Sequence, residues 1–179
     1  MARATEGRCK SILDTSVLIN FLKIDRCDLL GSHPRYSFLV PDEVADEVTA
    51  DFPDQRACLA AALEAGHLER TTVTSVSELE TAARLKAVKV GVGESAAIAA
   101  AICRGLPVAL QDDRATKKGR KISSSLVAVT TETIMVDLII AGTMTVAEAD
   151  GLKARWTTLR FKIKAKSFGE LLPDERRPE

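Results

Sequence analysis

The sequence predicts an α/β protein with a doubly wound, Rossmann-like parallel sheet of about five strands flanked by helices. Short apolar runs of strand length alternate along the chain with longer stretches that have helical spacing, which is typical of βα units. The chain has 179 residues and is 46% hydrophobic, so it is large enough to bury one core. These two observations together favour a single doubly wound domain.

Five short apolar runs are the predicted strands. Connections between parallel strands are right-handed, so all five strands should end at the same edge of the sheet. Ligands of open α/β sheets bind at that edge, and the residues that follow each strand are therefore the candidates for function. The predicted strands are CKSIL (9–13), YSFLV (36–40), LERTTV (68–73), LPVAL (106–110) and SLVAV (125–129).

Helical spacing and end signals define the segments between the strands. Pro41 is expected at the first position of its helix, Gly66 as a C-cap, and Thr145 with Glu148 as a capping box. Two helices, at 75–88 and 94–105, follow one another without a strand between them. The predicted helices are SVLINFLKI (16–24), PDEVADEV (41–48), DQRACLAAALEAG (54–66), SVSELETAARLKAV (75–88), ESAAIAAAICRG (94–105), TETIMVDLIIAG (131–142) and TVAEADGLKARW (145–156).

Composition and charge exclude several classes of protein. With 25 basic and 25 acidic residues the formal net charge is zero, so nucleic-acid binding would need a local cluster of basic residues. The start of the chain, MARATEGRCK, lacks the apolar core of a signal peptide, and the longest apolar runs are too short to span a bilayer. We therefore expect a cytoplasmic protein without a membrane partner. The four cysteines are far apart, which predicts reduced, mostly packed thiols and no zinc site.

The domain organisation expected from the sequence has three parts. Residues 1–145 form the main domain, residues 146–172 form a helical and basic extension packed on it, and residues 173–179 form a flexible polar tail.

Two acidic positions follow the first two predicted strands. Asp14 could cap the next helix, yet Thr15 and Ser16 could do so as well, which leaves Asp14 free for another role. Glu47 lies beside Val44 and Val48 on the inward stripe of its helix, where an acid is costly unless it is paired or binds a cation. Glu43 is on the same face and is the alternative to Glu47.

Two further acidic positions should lie at the same edge. Glu94 opens an alanine-rich helix and could compensate the helix dipole or serve a site. Asp112 and Asp113 follow the fourth strand, so one could cap the next helix while the other points into the cleft. Carboxylates this close would raise a pKa or bind a cation, and oxygen-only ligands favour Mg²⁺ or Mn²⁺.

At these residues the sequence resembles the PIN-domain family of ribonucleases, whose small prokaryotic members include toxins of toxin–antitoxin pairs. The motifs are ILDTSVLI, VPDEVADEV, GESAAIAAA and DDRATKKGRK, and the resemblance extends from about Ser11 to about Ala141. One departure is Gln111, where many members carry Thr or Ser. The resemblance implies catalytic roles for Asp14, Glu47, Glu94, Asp112 and Asp113, metal ligation by Asp14, Glu94, Asp112 and Asp113, and a supporting hydroxyl at Ser16.

The function that this resemblance implies is metal-dependent hydrolysis of phosphodiester bonds in single-stranded RNA. One or two Mg²⁺ or Mn²⁺ ions would activate the attacking water, and no covalent intermediate is expected. The partners expected are an RNA substrate, an antitoxin-like protein and a second copy of the chain in a homodimer. The alternative is a catalytically quiet PIN-like module that binds RNA or protein.

Basic residues after the fourth acidic motif are the candidates for RNA binding. They would grip the phosphates of the substrate, or they form a solvated helix face. A second basic run nearer the end of the chain would extend the binding track or solvate the surface. The first run is Arg114, Lys117, Lys118, Arg120 and Lys121. The second run is Arg155, Arg160, Lys162, Lys164 and Lys166.

Overall fold

A five-stranded, entirely parallel sheet forms the centre of the protein, as predicted. The structure is a computed structural model that describes residues 7–176, and its strand order is β3-β2-β1-β4-β5. The three later strands are shorter than predicted, because their flanking apolar residues, such as Leu68 and Leu126, are buried without belonging to the ladder. The strands are β1 (Cys9–Leu13), β2 (Tyr36–Pro41), β3 (Glu69–Thr71), β4 (Val108–Ala109) and β5 (Ala128–Val129).

The central strand β1 aligns the carboxyl ends of its two neighbours. Ile12 pairs with Leu39 of β2 on one side and with Val108 of β4 on the other. At the end of β1 the backbone N–H of Asp14 donates to the carbonyl of Ala109 at 2.9 Å. The residues that follow β1 and β4 therefore start from adjacent points on one edge of the sheet.

Helices connect the strands. The seven predicted helices are present, the helix expected after Asp112 and Asp113 is α7, and a short helix, α2, was not predicted. The prediction that Pro41 is the first residue of its helix is wrong. Its ψ of 149° is extended, so it is the last residue of β2 and the N-cap of α3. The helices are α1 (Thr15–Lys23), α2 (Cys27–Gly31), α3 (Asp42–Asp51), α4 (Arg56–Glu64), α5 (Val76–Ala87), α6 (Val92–Arg104), α7 (Asp113–Ile122), α8 (Thr131–Ile140) and α9 (Val146–Thr158).

The structure confirms two of the predicted helix-end signals. The Thr145 hydroxyl accepts from the N–H of Glu148 at 3.2 Å, and the Glu148 carboxylate accepts from the N–H of Thr145 at 2.7 Å, which completes the capping box. Gly66 follows the end of α4 with a φ of +70°, a conformation that glycine adopts at no steric cost.

The alanine-rich helix α6 fills the space between the sheet and α5. Residues 96–101, including Ile98, are each at most 1% exposed. Small side chains allow a helix to approach its neighbours closely, so α6 packs against α5 and against β1. This packing fixes the N-terminus of α6, and with it Glu94, beside the carboxyl edge of the sheet.

Helix α9 packs against α1. Trp156 of α9 is fully buried, its ring meets that of Phe21 edge-on at 5.7 Å, and its Nε1 donates to the carbonyl of Asn20 at 2.7 Å. Further on, Arg176 donates to the carbonyl of Ile140. The division of the chain near residue 145 stays a prediction. The beginning of MARATEGRCK (residues 1–6) and the end of the predicted tail (177–179) lie outside the described residues.

Two bulk expectations can be compared with the structure. Among residues 7–176, no helix is both long enough and apolar enough to cross a membrane. All four cysteines are free, but the prediction of mostly packed thiols is wrong for Cys9 and Cys103, which are exposed. Cysteine position along the chain does not specify which face of its element a thiol occupies.

Candidate metal centre

Asp14 is the N-cap of α1, directly after β1. Its Oδ2 accepts from the backbone N–H of Ser16 at 2.9 Å and from the Ser16 hydroxyl at 2.6 Å. The expectation that Thr15 or Ser16 would cap this helix is wrong, because the extended backbone of Asp14 (φ −92°, ψ 158°) brings its own carboxylate over the first turn. Only one oxygen is used in this way. The other, Oδ1, is buried and has no hydrogen-bond partner among residues 7–176.

The environment of Asp14 disfavours its charge. The residue is 1% exposed, and burial raises the pKa of its carboxyl from 3.8 to about 6. The two hydrogen bonds from Ser16 oppose this shift, whereas the negative charges of Glu94 and Glu47 add to it. Asp14 is therefore a buried acid with two acidic neighbours and one unused oxygen.

Glu47 lies half-buried on α3 and faces α1 and α6. Its Oε2 accepts from the hydroxyl of Thr15 at 3.1 Å, and a Cβ on Gly93 would collide with the same oxygen. Val44 and Val48 of the same helix are buried, as the inward stripe predicted. The alternative acid, Glu43, lines the same groove of about 500 Å³ between α3 and α6 as Glu47 does.

Glu94 lies in the first turn of α6. Its Oε2 accepts from the backbone N–H of Gly91 at 3.1 Å. Burial raises the pKa of its carboxyl, and the hydrogen bond from Gly91 lowers it. The charges of Asp112 and Glu47 raise this pKa further, and that of Lys118 lowers it. Glu94 therefore lies among the other acids and also serves the helix terminus.

The two adjacent aspartates after β4 occupy different places. Asp112 is the N-cap of α7, where its Oδ1 accepts from the N–H groups of Arg114 at 2.6 Å and Ala115 at 3.0 Å. Asp113 is in the first turn of the same helix, and its side chain is exposed. The structure thus brings four of the predicted acids together, and it leaves Asp113 facing solvent. The four are Asp14, Glu47, Glu94 and Asp112.

A comparison with known families identifies the family of this chain. A family model described as a PIN domain matches residues 10–152, which is most of the chain and includes all four acids. The chain belongs to the PIN-domain family. A search of curated proteins finds no match. The PIN match ends inside α9. PIN domains are generally nucleases that use divalent metal ions.

The acids of this PIN domain fit a hard divalent cation by their chemistry. Asp14 Oδ1 is a buried carboxylate oxygen without a partner among the described residues, and the neighbouring donors are carboxylates too, which Mg²⁺ and Mn²⁺ prefer. Within residues 7–176 no three His, Cys, Asp or Glu side chains already form a group that could enclose an ion. One oxygen each of Glu94 and Asp112 is instead hydrogen-bonded to a helix N-terminus.

Ser16 and Gln111 connect the acids to the rest of the PIN fold. The Ser16 oxygen donates to Asp14 and also accepts from the backbone N–H of Gln111 at 3.0 Å. The Gln111 side chain accepts from the N–H of Thr131 at 3.0 Å and donates to Glu132 at 2.9 Å. From the sequence, Gln111 was noted only as a departure from the family pattern. Glu132 was missed, although a polar residue after the fifth strand was a signal that could have indicated it.

Sequence reasoning also missed Thr15 and Gly93 as contacts of Glu47. Thr15 was considered only as a helix cap. The signal for Gly93 was present, since two glycines (Gly91 and Gly93) precede Glu94, but a pair of glycines before a helix is equally typical of a turn.

The first basic run lies on α7, the helix that Asp112 caps. Lys118 donates to the carbonyl of Lys89 at 3.2 Å and is close enough to Glu94 to lower its pKa. The second basic run starts elsewhere: Arg155 donates to the carbonyl of Ile24, at the end of α1 opposite Asp14. The other four residues of the first run are exposed or partly exposed along α7: Arg114, Lys117, Arg120 and Lys121.

Proposed function

We propose that this PIN domain is an Mg²⁺- or Mn²⁺-dependent endoribonuclease that hydrolyses phosphodiester bonds of single-stranded RNA. The observation that carries the proposal is the buried Oδ1 of Asp14, which has no hydrogen-bond partner among residues 7–176 and lies near Glu47 and Glu94. A buried carboxylate oxygen without a hydrogen-bond donor or a cation is unfavourable, and a divalent ion would remove that penalty.

The residues divide into those that would hold the ion and those that orient them. Asp14, Glu94 and Asp112 would hold one or two ions, and Glu47 is the fourth acid of the set. Ser16 fixes the orientation of the Asp14 carboxylate through its 2.6 Å hydrogen bond. When bound, such an ion lowers the pKa of a water molecule and offsets the charge of the phosphate that is attacked.

Substrate phosphates would contact the exposed cations of α7, which begins at Asp112. Because α7 carries Arg114, Lys117 and Lys121 on its exposed surface, a single strand lying along it would reach the acids at the helix N-terminus. The chain is 4% aromatic, so base stacking contributes little.

We further propose a cytoplasmic homodimer that acts as the toxin of a toxin–antitoxin pair. Support for this part comes from family membership alone. Light scattering during gel filtration tests the dimer, and co-purification with the product of a neighbouring gene tests for the antitoxin-like protein.

The nuclease proposal is tested by incubating the protein with a mixed pool of single-stranded RNA in Mn²⁺ or in EDTA. Cleavage should require the metal, and Asp14→Asn or Glu94→Gln should reduce it by more than about 100-fold, since even outer-shell partners of a metal contribute about 10–100-fold. Asparagine and glutamine retain an oxygen that can cap α1 and α6, so both variants should fold.

Asp112→Asn and Asp113→Asn form a matched pair for the fourth acid. The first should lose activity and the second should retain it, because only Asp112 lies beside Glu94. Cleavage that resists EDTA, or that survives both Asp14→Asn and Glu94→Gln, would overturn the proposal. Salt-sensitive RNA binding without turnover by the wild type would support the catalytically quiet module instead.

A further inference from the structure

The carboxylate of Glu47 is held by residues from two other helices. Thr15, the first residue of α1, is 6% exposed, and its hydroxyl donates to Glu47 Oε2 at 3.1 Å. Gly93 is buried at the start of α6 and lies against the same oxygen. Glu47 itself is on α3, so three helices meet at one carboxylate oxygen.

Gly93 is required for space and not for backbone conformation. Its φ lies outside the left-handed region, so any residue could adopt its backbone geometry. Glycine within a helix is less favourable than alanine. A Cβ at this position would meet Glu47 Oε2 and would come within 3.5 Å of the Thr15 hydroxyl, so alanine would displace the carboxylate.

The held carboxylate lies beside two of the other acids. Thr15 directly follows Asp14 and Gly93 directly precedes Glu94, and both contact Glu47 Oε2. Its hydrogen bond to Thr15 occupies one lone pair of Oε2 and leaves Oε1 free of contacts from Thr15 and Gly93. Fixing a flexible glutamate side chain in this way reduces the entropy that it would lose on binding an ion.

We propose that Thr15 and Gly93 are positioning residues that hold the Glu47 carboxylate toward the metal centre. This inference rests on the proposed metal-dependent function. Thr15 supplies the hydrogen bond that selects one orientation of the carboxylate, and Gly93 supplies the room that this orientation needs. Neither residue contacts the ion or the substrate.

The test measures Mn²⁺ affinity by calorimetry, together with kcat, KM for RNA and thermal stability. Thr15→Val, which removes the hydroxyl at nearly constant volume, and Gly93→Ala should each weaken Mn²⁺ binding about 10–100-fold, as removal of an orienting partner does. Thr15→Ser keeps the hydroxyl and should restore affinity to within about 3-fold. Excess Mn²⁺ should recover kcat in Thr15→Val, and KM for RNA should not change.

Two control variants match these changes. Thr49→Val removes the hydroxyl of a threonine on α3 that donates to the carbonyl of Ala45, and it should leave Mn²⁺ affinity unchanged. Gly151→Ala adds a Cβ within α9 where nothing lies within 4 Å, and it should leave affinity unchanged as well. If Gly93→Ala proves unstable, Thr15→Val compared with Thr15→Ser still decides the outcome.

The possible results separate this inference from the proposed function. If wild type binds Mn²⁺ and Glu47→Gln weakens binding, but Thr15→Val and Gly93→Ala bind as wild type does, the positioning roles are wrong and the proposed function stands. If wild type does not bind Mn²⁺, both are wrong. Equally weakened binding in Thr15→Val and Thr15→Ser would show that the methyl packing of Thr15 matters and not its hydrogen bond, which also overturns the inference.

Discussion

Two buried carboxylates of this protein, Glu78 and Asp14, have opposite environments. Glu78 is 4% exposed and has a full set of partners: Arg104 donates to Oε1 at 2.6 Å, and the N–H groups of Thr74 and Ser75 donate to Oε2. Asp14 is 1% exposed, and its Oδ1 has no partner among residues 7–176. Both residues satisfy a helix N-terminus, yet among residues 7–176 only Glu78 has a cation beside it.

The pKa values of the two acids reflect this difference. Burial acts to raise the pKa of Glu78, but the Arg104 guanidinium and the Ser75 N–H hold it below the usual value. Burial raises the pKa of Asp14 to about 6, and the neighbouring acids add to the effect. A satisfied acid stabilises the fold, whereas an acid left without a cation is what a metal-binding site requires. Asp14 is therefore a candidate for function because one of its oxygens is unsatisfied, and not merely because it is acidic.

The largest expected effect comes from removing the cation of Glu78. Arg104→Met would leave a buried carboxylate uncompensated, which typically destabilises by about 3 kcal/mol or more. It also removes the hydrogen bonds from Arg104 to Thr71 and to the Thr72 carbonyl. We expect the Tm to fall by about 10 °C in thermal denaturation.

The control for this variant is Arg84→Met, which removes an exposed arginine from the neighbouring α5. It should change stability by less than about 0.5 kcal/mol. Addition of Mn²⁺ should not rescue Arg104→Met, since the missing cation lies outside the proposed metal centre. An unchanged Tm in Arg104→Met would break the comparison, because it would show that Glu78 does not depend on its ion pair.

The second effect has the opposite sign: Asp14→Asn should stabilise the metal-free protein. The pKa of Asp14 is about 6 in the fold against 3.8 for the ordinary side chain, and at about 1.4 kcal/mol per pH unit this corresponds to about 3 kcal/mol. Because the folded-state pKa is the higher one, the stability of the wild type falls as pH rises from about 4 to about 6. The gain from Asp14→Asn should therefore be complete above about pH 6 and absent below about pH 4.

Denaturant unfolding in EDTA at several pH values measures this gain. The exposed Asp113→Asn serves as the control and should show no such pH-dependent gain. Mn²⁺ at about 100 times its Kd should stabilise the wild type by about 2.7 kcal/mol and should not stabilise Asp14→Asn. A destabilised Asp14→Asn at pH 7.5 would mean that the ionised carboxylate already has a compensating partner, contrary to the comparison.

The sequence predicted the fold more completely than it predicted the site. Short apolar runs between helical stretches were sufficient to predict the five parallel strands, because strands such as β2 and β4 are almost wholly buried and leave a strong signal. The sequence could not separate Asp112 from Asp113, because both follow β4 and only the exact start of α7 decides which one caps it. The cap of α1 was assigned to Thr15 or Ser16 for a similar reason. A sequence does not show that Asp14 can cap the helix with one carboxylate oxygen and leave the other oxygen unpaired.

The contacts of Glu47 lay further beyond sequence reasoning. Thr15 and Gly93 are 32 and 46 residues from Glu47 in the chain, and only the packing of α1 and α6 against α3 brings them to one oxygen. A pattern of apolar residues predicts that helices will pack, but it does not specify which small or hydroxyl side chain faces a given acid.

The smallest effect on stability should come from the cations of α7, in contrast to the half-buried Arg104. Arg114→Gln combined with Lys117→Gln removes two exposed charges, so the free energy of unfolding should change by less than about 0.5 kcal/mol. RNA affinity should fall, and the slope of log Kd against log salt should decrease by about 0.7 for each RNA phosphate that the protein no longer neutralises. The measurement is fluorescence anisotropy with a mixed-sequence single-stranded RNA in EDTA, where no metal-dependent cleavage interferes.

The matched double variant Lys162→Gln with Lys164→Gln is the control, because it removes two exposed charges from the second basic run, which starts at the far end of α1. Its salt slope should equal that of the wild type. An equal decrease of affinity in both double variants would mean that phosphates bind wherever the surface is basic, and α7 would then have no special relation to the acids that it adjoins.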